Sequence, residues 1–377
     1  MITEASGHRV ALQDSVADFV NRGTDLARVR RLRGTAAEYD RTLWDEMAGL
    51  GWLGILIPER YTGLGLGLAE AAIVAEGLAR GLAPEPFAAA AVLAAAVLAE
   101  GDNETLKQEL LPQVVSGALI PALAWQERAG TLDVAAIETR AVPFEGGFRL
   151  NGEKRFVSGA AGADGYIVSA KSTHGIELFW VGRDAPGVEL RLEPLADGRH
   201  FGILTLSDAV VAREKTLAGA DTARAALEKA LDHATAIASA ELYGVMGRAL
   251  EMSLDYMKTR AQFGKPIGSF QALQHRAVDL YIQQQLSSAV LEEALCALDR
   301  NPDARARAVL ASRAKARCSD AGLRICREAI QIHGAIGFTD EYDAGLYLKR
   351  AIVLSAWLGN AALHRRRYAR LATEIDA

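Results

Sequence analysis

Cysteine is nearly missing from this chain of 377 residues: Cys296, Cys318 and Cys326 are the only three. An odd count without metal-ligand spacing argues against a disulfide framework and a metal site, and predicts buried, reduced thiols in a cytoplasmic protein. A basic excess is also absent. Lys and Arg number 42 against 47 Asp and Glu, a net charge of −5, so there is no footprint for nucleic acid, and attraction for an anionic ligand must be local. Long apolar runs are lacking as well. The most apolar stretch, residues 87–98, is alanine-rich and too short to span a bilayer, so it reads as a packed core helix and predicts no membrane partner. The first residues do not show the basic-then-apolar order of an export signal.

What is present is length for two to three domains, and a hydrophobic half rich in alanine, which suits a mostly helical protein. Residues 1–118 carry apolar positions at three- and four-residue spacing and predict helices that end at glycines. The alternate glycines at 63, 65 and 67 cannot hold a helix interior and predict a loop with close backbone approach. No strand-helix-strand unit precedes them, which excludes a Rossmann reading. From 119 to 218, short β-branched and aromatic runs alternate with turn signals, Asn151-Gly152 among them as a tight turn, and predict an inserted antiparallel β domain. Residues 219–377 predict four long helices, over about 220–263, 269–299, 303–332 and beyond 343, packed as an antiparallel bundle.

Residues 256–275 join two of those helices. The first runs to about residue 263, the chain breaks at Gly264, Pro266 and Gly268, and the next helix begins with Ser269 as its predicted N-cap. The corner offers Arg260, which can fork onto a phosphate, Phe263, a flat face for a ring, and the amides of Gln271 and Gln274. The same residues would suit a plain helical hairpin with a solvated arginine and a core phenylalanine. A second stretch, Gln331-Ile-His-Gly-Ala-Ile-Gly337, places Gly334 and Gly337 just past a helix end, where backbone can approach a ligand.

The order Arg-x-x-Phe-Gly-x-x-Ile-x-x-x-Gln, from Arg260 to Gln271, resembles the signature of the acyl-CoA dehydrogenase flavoproteins. Residues 331–338 resemble that family's Gln-x-x-Gly-Gly-x-Gly-aromatic run. The resemblance implies a mainly α fold with an inserted β domain: an N-terminal helical domain over 1–118, a middle β-barrel over 119–218 and a C-terminal four-helix bundle over 219–377. It also implies FAD. Arg260, Phe263 and Gln271 would contact the ADP half of an FAD held mainly by a neighbouring subunit. Gln331, Gly334, Ala335 and Gly337 would line its pyrophosphate and adenine, with Ala335 replacing a glycine. Residues 151–158 resemble the strand that covers the flavin ring, which assigns Phe156 and Ser158 to the isoalloxazine; a core phenylalanine and a turn serine are the alternative. Residues 124–133 resemble the family's Thr-Glu-Pro-x-Ala-Gly-Ser-Asp segment, with Gln126 at the threonine on the cofactor side and Leu132 in place of the serine that commonly meets the CoA arm. The glycine loop resembles an early family segment in which Thr62 takes a usual glycine's place.

One thing the resemblance demands is missing. Removing the weakly acidic α-proton of an acyl-CoA while a hydride leaves for flavin needs a positioned carboxylate. Leu358 stands at the usual glutamate, and Ala234 at the alternative position. Glu241, two turns on from Ala234 and on roughly the same helix face, remains as a relocated catalytic base, a structural acid paired to an arginine, or a solvent-facing side chain. ADP-side residues kept better than catalytic ones resemble subunits of heteromeric enzymes, such as the small subunit of pimeloyl-CoA dehydrogenase. The expected function is α,β-dehydrogenation of an acyl-CoA by a homo- or hetero-tetramer with a second such chain, with an electron-transfer flavoprotein as electron acceptor. A non-catalytic scaffold subunit and a flavin monooxygenase of the same fold are the alternatives.

Overall fold

The computed structural model describes residues 7–23, 25–35 and 39–372. Helices open the chain: α1 (Gly7–Gly23), α2 (Leu26–Leu32), α3 (Arg41–Gly49), α4 (Leu68–Arg80), α5 (Ala95–Glu100) and α6 (Glu104–Val115). The carboxylate of Asp40 and the side-chain oxygen of Asn103 accept from the Thr42 and Leu106 amides, which sets the starts of α3 and α6. The apolar stretch at 87–98 is a core helix, as expected. Its residues Phe87–Ala94, all buried, wind as a π-helix before α5 takes over.

Eight strands follow: β1 (Pro121–Ala124), β2 (Arg140–Phe144), β3 (Gly147–Ser158), β4 (Gly165–Lys171), β5 (Ile176–Gly182), β6 (Val188–Pro194), β7 (His200–Ala212) and β8 (Thr216–Ala218). They form one sheet in the order β6-β7-β3-β2-β4-β5-β8, with β1 paired in parallel to β4. Leu150, Tyr166, Val168, Phe179 and Leu204 build its core. β4 is buried on both faces along nearly all its length, which is why Tyr166-Ile-Val reads as an unbroken apolar run.

The predicted turn at Asn151-Gly152 does not form. β3 runs straight through it, a register shift in the pairing with β7 absorbing the irregularity. The Asn151 side chain instead donates to the Asp208 carboxylate and accepts from the Asp208 amide, each at 2.9 Å. The tight turn lies at Glu145-Gly146, between β2 and β3.

The chain finishes with α7 (Ala220–Thr259), a minimal hairpin of β9 (Ala261–Gln262) and β10 (Lys265–Pro266), then α8 (Gln271–Leu298), α9 (Ala304–His333), α10 (Ala344–Ala356) and α11 (Ala361–Ala372). Two expectations are corrected here. Ser269 is not the N-cap of α8: Phe270 takes that place without a side-chain bond, and the Ser269 hydroxyl donates to the Pro266 carbonyl at 2.7 Å. The last predicted helix is two, because Leu358 at φ 55° and Gly359 at φ 94° adopt the left-handed backbone that ends a right-handed helix.

By packing, the residues sort into two compact units, one of 1–30, 72–83 and 235–377, the other of 31–71 and 84–234. The first holds the α7–α8 corner and the end of α9. The second holds the sheet.

Candidate functional site

In the helical unit, Arg260, Phe263 and Gln271 lie at the corner between α7 and α8. The hairpin between these helices turns at Gly264, φ 78°, and Phe263 beside it is itself left-handed at φ 54°. That backbone costs a bulky residue about 1–3 kcal/mol, and here it sends the ring outward. Phe263 is 91% exposed, with only Phe270 edge-on to it at 6.1 Å, so it is not the core phenylalanine of a plain hairpin. Arg260 and Gln271 are exposed as well. The Arg260 main chain is tied at both ends, donating to Tyr256 and accepting from Ile267 at 2.8 Å each. Gln274 donates to the Gly268 carbonyl at 2.9 Å and braces the corner.

Gln331, Gly334, Ala335 and Gly337 close α9, with the Gln331 and Ala335 side chains exposed. The two glycines serve different ends. Gly334, at φ 64°, has nothing within 4 Å of where a Cβ would stand, whereas a Cβ on Gly337 would meet the Ile330 carbonyl oxygen at 2.8 Å. Gly334 therefore leaves backbone open to a ligand, and Gly337 is required by packing. Within the second motif, His333 is nearly fully buried. Its Nδ1–H donates to the Ala329 carbonyl at 2.7 Å, which leaves Nε2 to accept from the Tyr342 hydroxyl at 2.8 Å. Its ring stacks on Tyr256 with centroids 4.5 Å apart, and burial pushes its pKa down. Tyr256 closes α7 and Tyr342 follows the glycine turn, so a neutral histidine ties the two motifs together.

In the sheet unit, Phe156 is half-buried with φ 58°, at a slip in the β3–β7 pairing between Lys154 and Val157. The Arg155 guanidinium lies 5.5 Å from its ring centroid and Phe201 packs edge-on at 6.2 Å. Ser158 ends β3 opposite Phe201. Gln126 donates its side-chain amide to the Arg128 carbonyl at 2.9 Å, and its main-chain carbonyl accepts from the Arg155 amide at 2.7 Å. Beside these residues is a buried ion pair that pattern reading overlooked, Glu127 with Lys154 at 2.6 Å. Its one trace in the sequence is a lysine within a strand otherwise facing an apolar core.

Neither usual base position carries a carboxylate. Ala234 is fully buried in α7, and Leu358 is 5% exposed. Two side chains pin the Leu358 turn, one from α9 and one from α11, the helix that follows it. Lys315 of α9 donates to the Leu354 carbonyl at 2.6 Å, and His364 of α11 donates Nε2–H to the Leu358 carbonyl at 2.8 Å while Nδ1 faces the Ser312 hydroxyl at 3.3 Å. Burial pushes Lys315 down to about 7. Burial, with Lys315 nearby, pushes His364 down to about 3. Glu241 pairs with Arg350 at 3.2 Å, and its Oε2 is buried without a hydrogen-bond partner. Arg350 and Leu354 lie four residues apart on one face of α10, so Glu241 stands against the face that carries Leu354.

All three cysteines are free, with Cys318 and Cys326 buried. Among the described residues no group of His, Cys, Asp and Glu is placed to hold a metal, and no helix is long and apolar enough to cross a membrane. Among the described residues, seven non-glycine positions have positive φ, and four of them are Thr62, Phe156, Phe263 and Leu358, so backbone strain gathers at the motif positions.

Three family models match this chain: the acyl-CoA dehydrogenase N-terminal domain over residues 6–118, its middle domain over 122–206 and its C-terminal domain over 223–372. Acyl-CoA dehydrogenase IpdE2 of Mycolicibacterium smegmatis is 30% identical over 98% of this chain and 99% of its own. A variant of the Tcur3481-Tcur3483 steroid ACAD superposes with a TM-score of 0.88 at 34% identity, covering 98% of each chain. The ChsE4-ChsE5 complex from Mycobacterium tuberculosis gives 0.89 at 28% identity, again over 98% of each. With the three domain models together spanning most of its length and a relative 30% identical over 98% of it, the chain belongs to the acyl-CoA dehydrogenase family.

Proposed function

We propose that this chain is a subunit of an FAD-dependent enzyme that removes a proton from Cα and a hydride from Cβ of an acyl-CoA thioester, with a second chain of the same family supplying the base. Leu358 carries this reading. It sits buried in a strained turn that Lys315 and His364 hold in shape, yet its side chain has no atom that can take a proton. The residues on the cofactor side fit FAD. Arg260 and Phe263 stand exposed, with cation and ring available to phosphate and adenine, and Gly334 leaves a stretch of main chain uncovered for the pyrophosphate. Gln271, Gln331, Ala335 and Gly337 would complete the ADP side of an FAD held mainly by a neighbouring subunit, and Gln126, Phe156 and Ser158 would meet the ring of an FAD held by this chain. Bound FAD would accept the hydride and pass electrons to an electron-transfer flavoprotein.

The names of two similar structures pair two chains each, which favours a heteromeric assembly here too. The test is anaerobic bleaching of bound flavin by an acyl-CoA series. The chain co-expressed with its partner bleaches, and the chain alone does not. Leu358→Glu should give the chain alone measurable bleaching, since glutamate bears no more strain than leucine at φ 55°. A colourless assembly, partner included, refutes the reading.

A second reading makes Glu241 the base, favoured by its buried, unpartnered Oε2. Glu241→Gln then lowers the rate of flavin reduction by about 100-fold or more, the scale of a lost general base. Unchanged reduction leaves Glu241 as the structural partner of Arg350.

A further inference from the structure

Lys154 lies in β3 with its side chain fully buried, a placement that is costly unless the ammonium is paired and its protons are all used. Its Nζ donates to Glu127 Oε1 at 2.6 Å, to Ser169 Oγ at 3.1 Å and to the Trp125 carbonyl at 3.4 Å. The carboxylate is saturated from its other side. Glu127 Oε1 also accepts the Thr139 amide at 2.9 Å and hydroxyl at 2.7 Å, and Oε2 accepts the Glu138 amide at 2.7 Å. Burial pushes Lys154 down to about 8 against the pull of Glu127. Burial of Glu127 is more than offset by Lys154 and Thr139, which hold its carboxyl below the usual range.

The location of this network matters more than its strength. Glu127 directly follows Gln126, and Lys154 stands two residues before Phe156. The Arg155 amide bonds the Gln126 carbonyl at 2.7 Å, so the pair flanks the one main-chain link between those two segments. The β3–β7 pairing slips between Lys154 and Val157, and Phe156 takes its left-handed backbone within that slip. Such a conformation persists only where the surroundings over-determine it. Lys154 anchors one side of the slip, and the pairing of Val157 with Gly202 anchors the other.

We propose that Glu127 and Lys154 are positioning residues, whose buried pair holds the strained β3 segment so that Phe156, Ser158 and the Gln126 main chain meet the flavin in one geometry. This rests on the FAD reading above. A merely structural pair and a positioning pair differ in what an uncharged replacement restores. Removing both charges of a buried pair costs far less than leaving one unpaired, so Glu127→Gln, whose side-chain oxygen still accepts from Thr139, combined with Lys154→Met should recover most of the thermal stability that Lys154→Met alone loses.

The full chain, with its partner, is titrated with FAD and followed by fluorescence, visible circular dichroism of the bound flavin and melting temperature. The double variant is expected to melt near wild type, to bind FAD about tenfold or more weakly, and to show an altered flavin dichroism band. A double variant with wild-type FAD affinity and dichroism overturns the proposal. If that variant does not fold, Glu127→Gln alone, which keeps the size and an acceptor but drops the charge, is judged by the same two readouts. A wild type that takes up no FAD overturns the flavin reading and this assignment with it, an outcome distinct from failure in the variants alone.

Discussion

Left-handed backbone at non-glycine residues is where single side chains tell most about this protein. Thr62 shows the effect without complication, because it is exposed, follows a single 3-10 turn at φ 68°, and carries the β-branch that suits this conformation least. Relieving the strain is worth about 1–2 kcal/mol, and the greater freedom of an unfolded glycine takes back about 0.5–1 kcal/mol. Thr62→Gly is therefore expected to stabilise by about 0.5–1 kcal/mol, read as a higher urea midpoint at unchanged slope. That a glycine is usual at 62 is what the family resemblance implies, and the left-handed angle supplies the reason. At Phe156 and Phe263 the same angle aims aromatic rings, which no list of residue types reveals: alternation and helical spacing describe which face a side chain takes in regular structure, and these two lie outside it.

At the scale of elements, the joint between α10 and α11 is set by α9. Lys315 has carbonyl oxygens for acceptors, Leu354 at 2.6 Å and Ser355 at 3.4 Å, with Glu241, Cys318 and His364 as its charged or titratable neighbours. Its amine falls from 10.5 to about 7 in the folded chain. As pH drops, the unfolded amine binds its proton near 10.5 and the native one only near 7, so the native state loses stability across that window. Between pH 7 and 9 the wild type should thus gain stability with rising pH more steeply than Lys315→Met, measured as the difference in denaturation free energy between the two. Parallel curves would show that Lys315 takes up its proton as readily folded as unfolded. The elements themselves were largely readable from periodicity, including the helical start, the β insert and the long helices that follow. The errors fell where local signals compete with tertiary ones. Asn151-Gly152 has the composition of a turn, but pairing along β7 and the bonds to Asp208 hold it inside β3. The helix predicted beyond 343 has no proline to break it, and it ends where Leu358 and Gly359 turn left-handed, with Lys315 bonded to the last carbonyls of α10 and His364 to the Leu358 carbonyl.

For the whole molecule, the exposed apolar residues Val278, Tyr281, Ile282 and Leu286 recur on one face of α8, with Phe263 bare at the corner before it. A striped apolar face of this kind marks association in soluble proteins, and the family resemblance points to a tetramer. Tyr281→Glu with Ile282→Glu is expected to shift the sedimentation profile to smaller species and to weaken FAD binding in parallel, since Arg260 and Phe263 belong to the same corner. An unchanged profile would place the interface elsewhere. The sequence by itself determined which chemistries are open: a leucine at 358 and an alanine at 234 cannot accept a proton in any fold, and the residues of the Arg260 and Gln331 motifs carry the resemblance to the family. Only the tertiary structure decided that Glu241 faces Arg350, that Glu127 meets Lys154, and that Lys315 and His364 converge on one turn. Those contacts join residues far apart along the chain, where no local periodicity reaches, and burial of their charges has meaning only once the surrounding core exists.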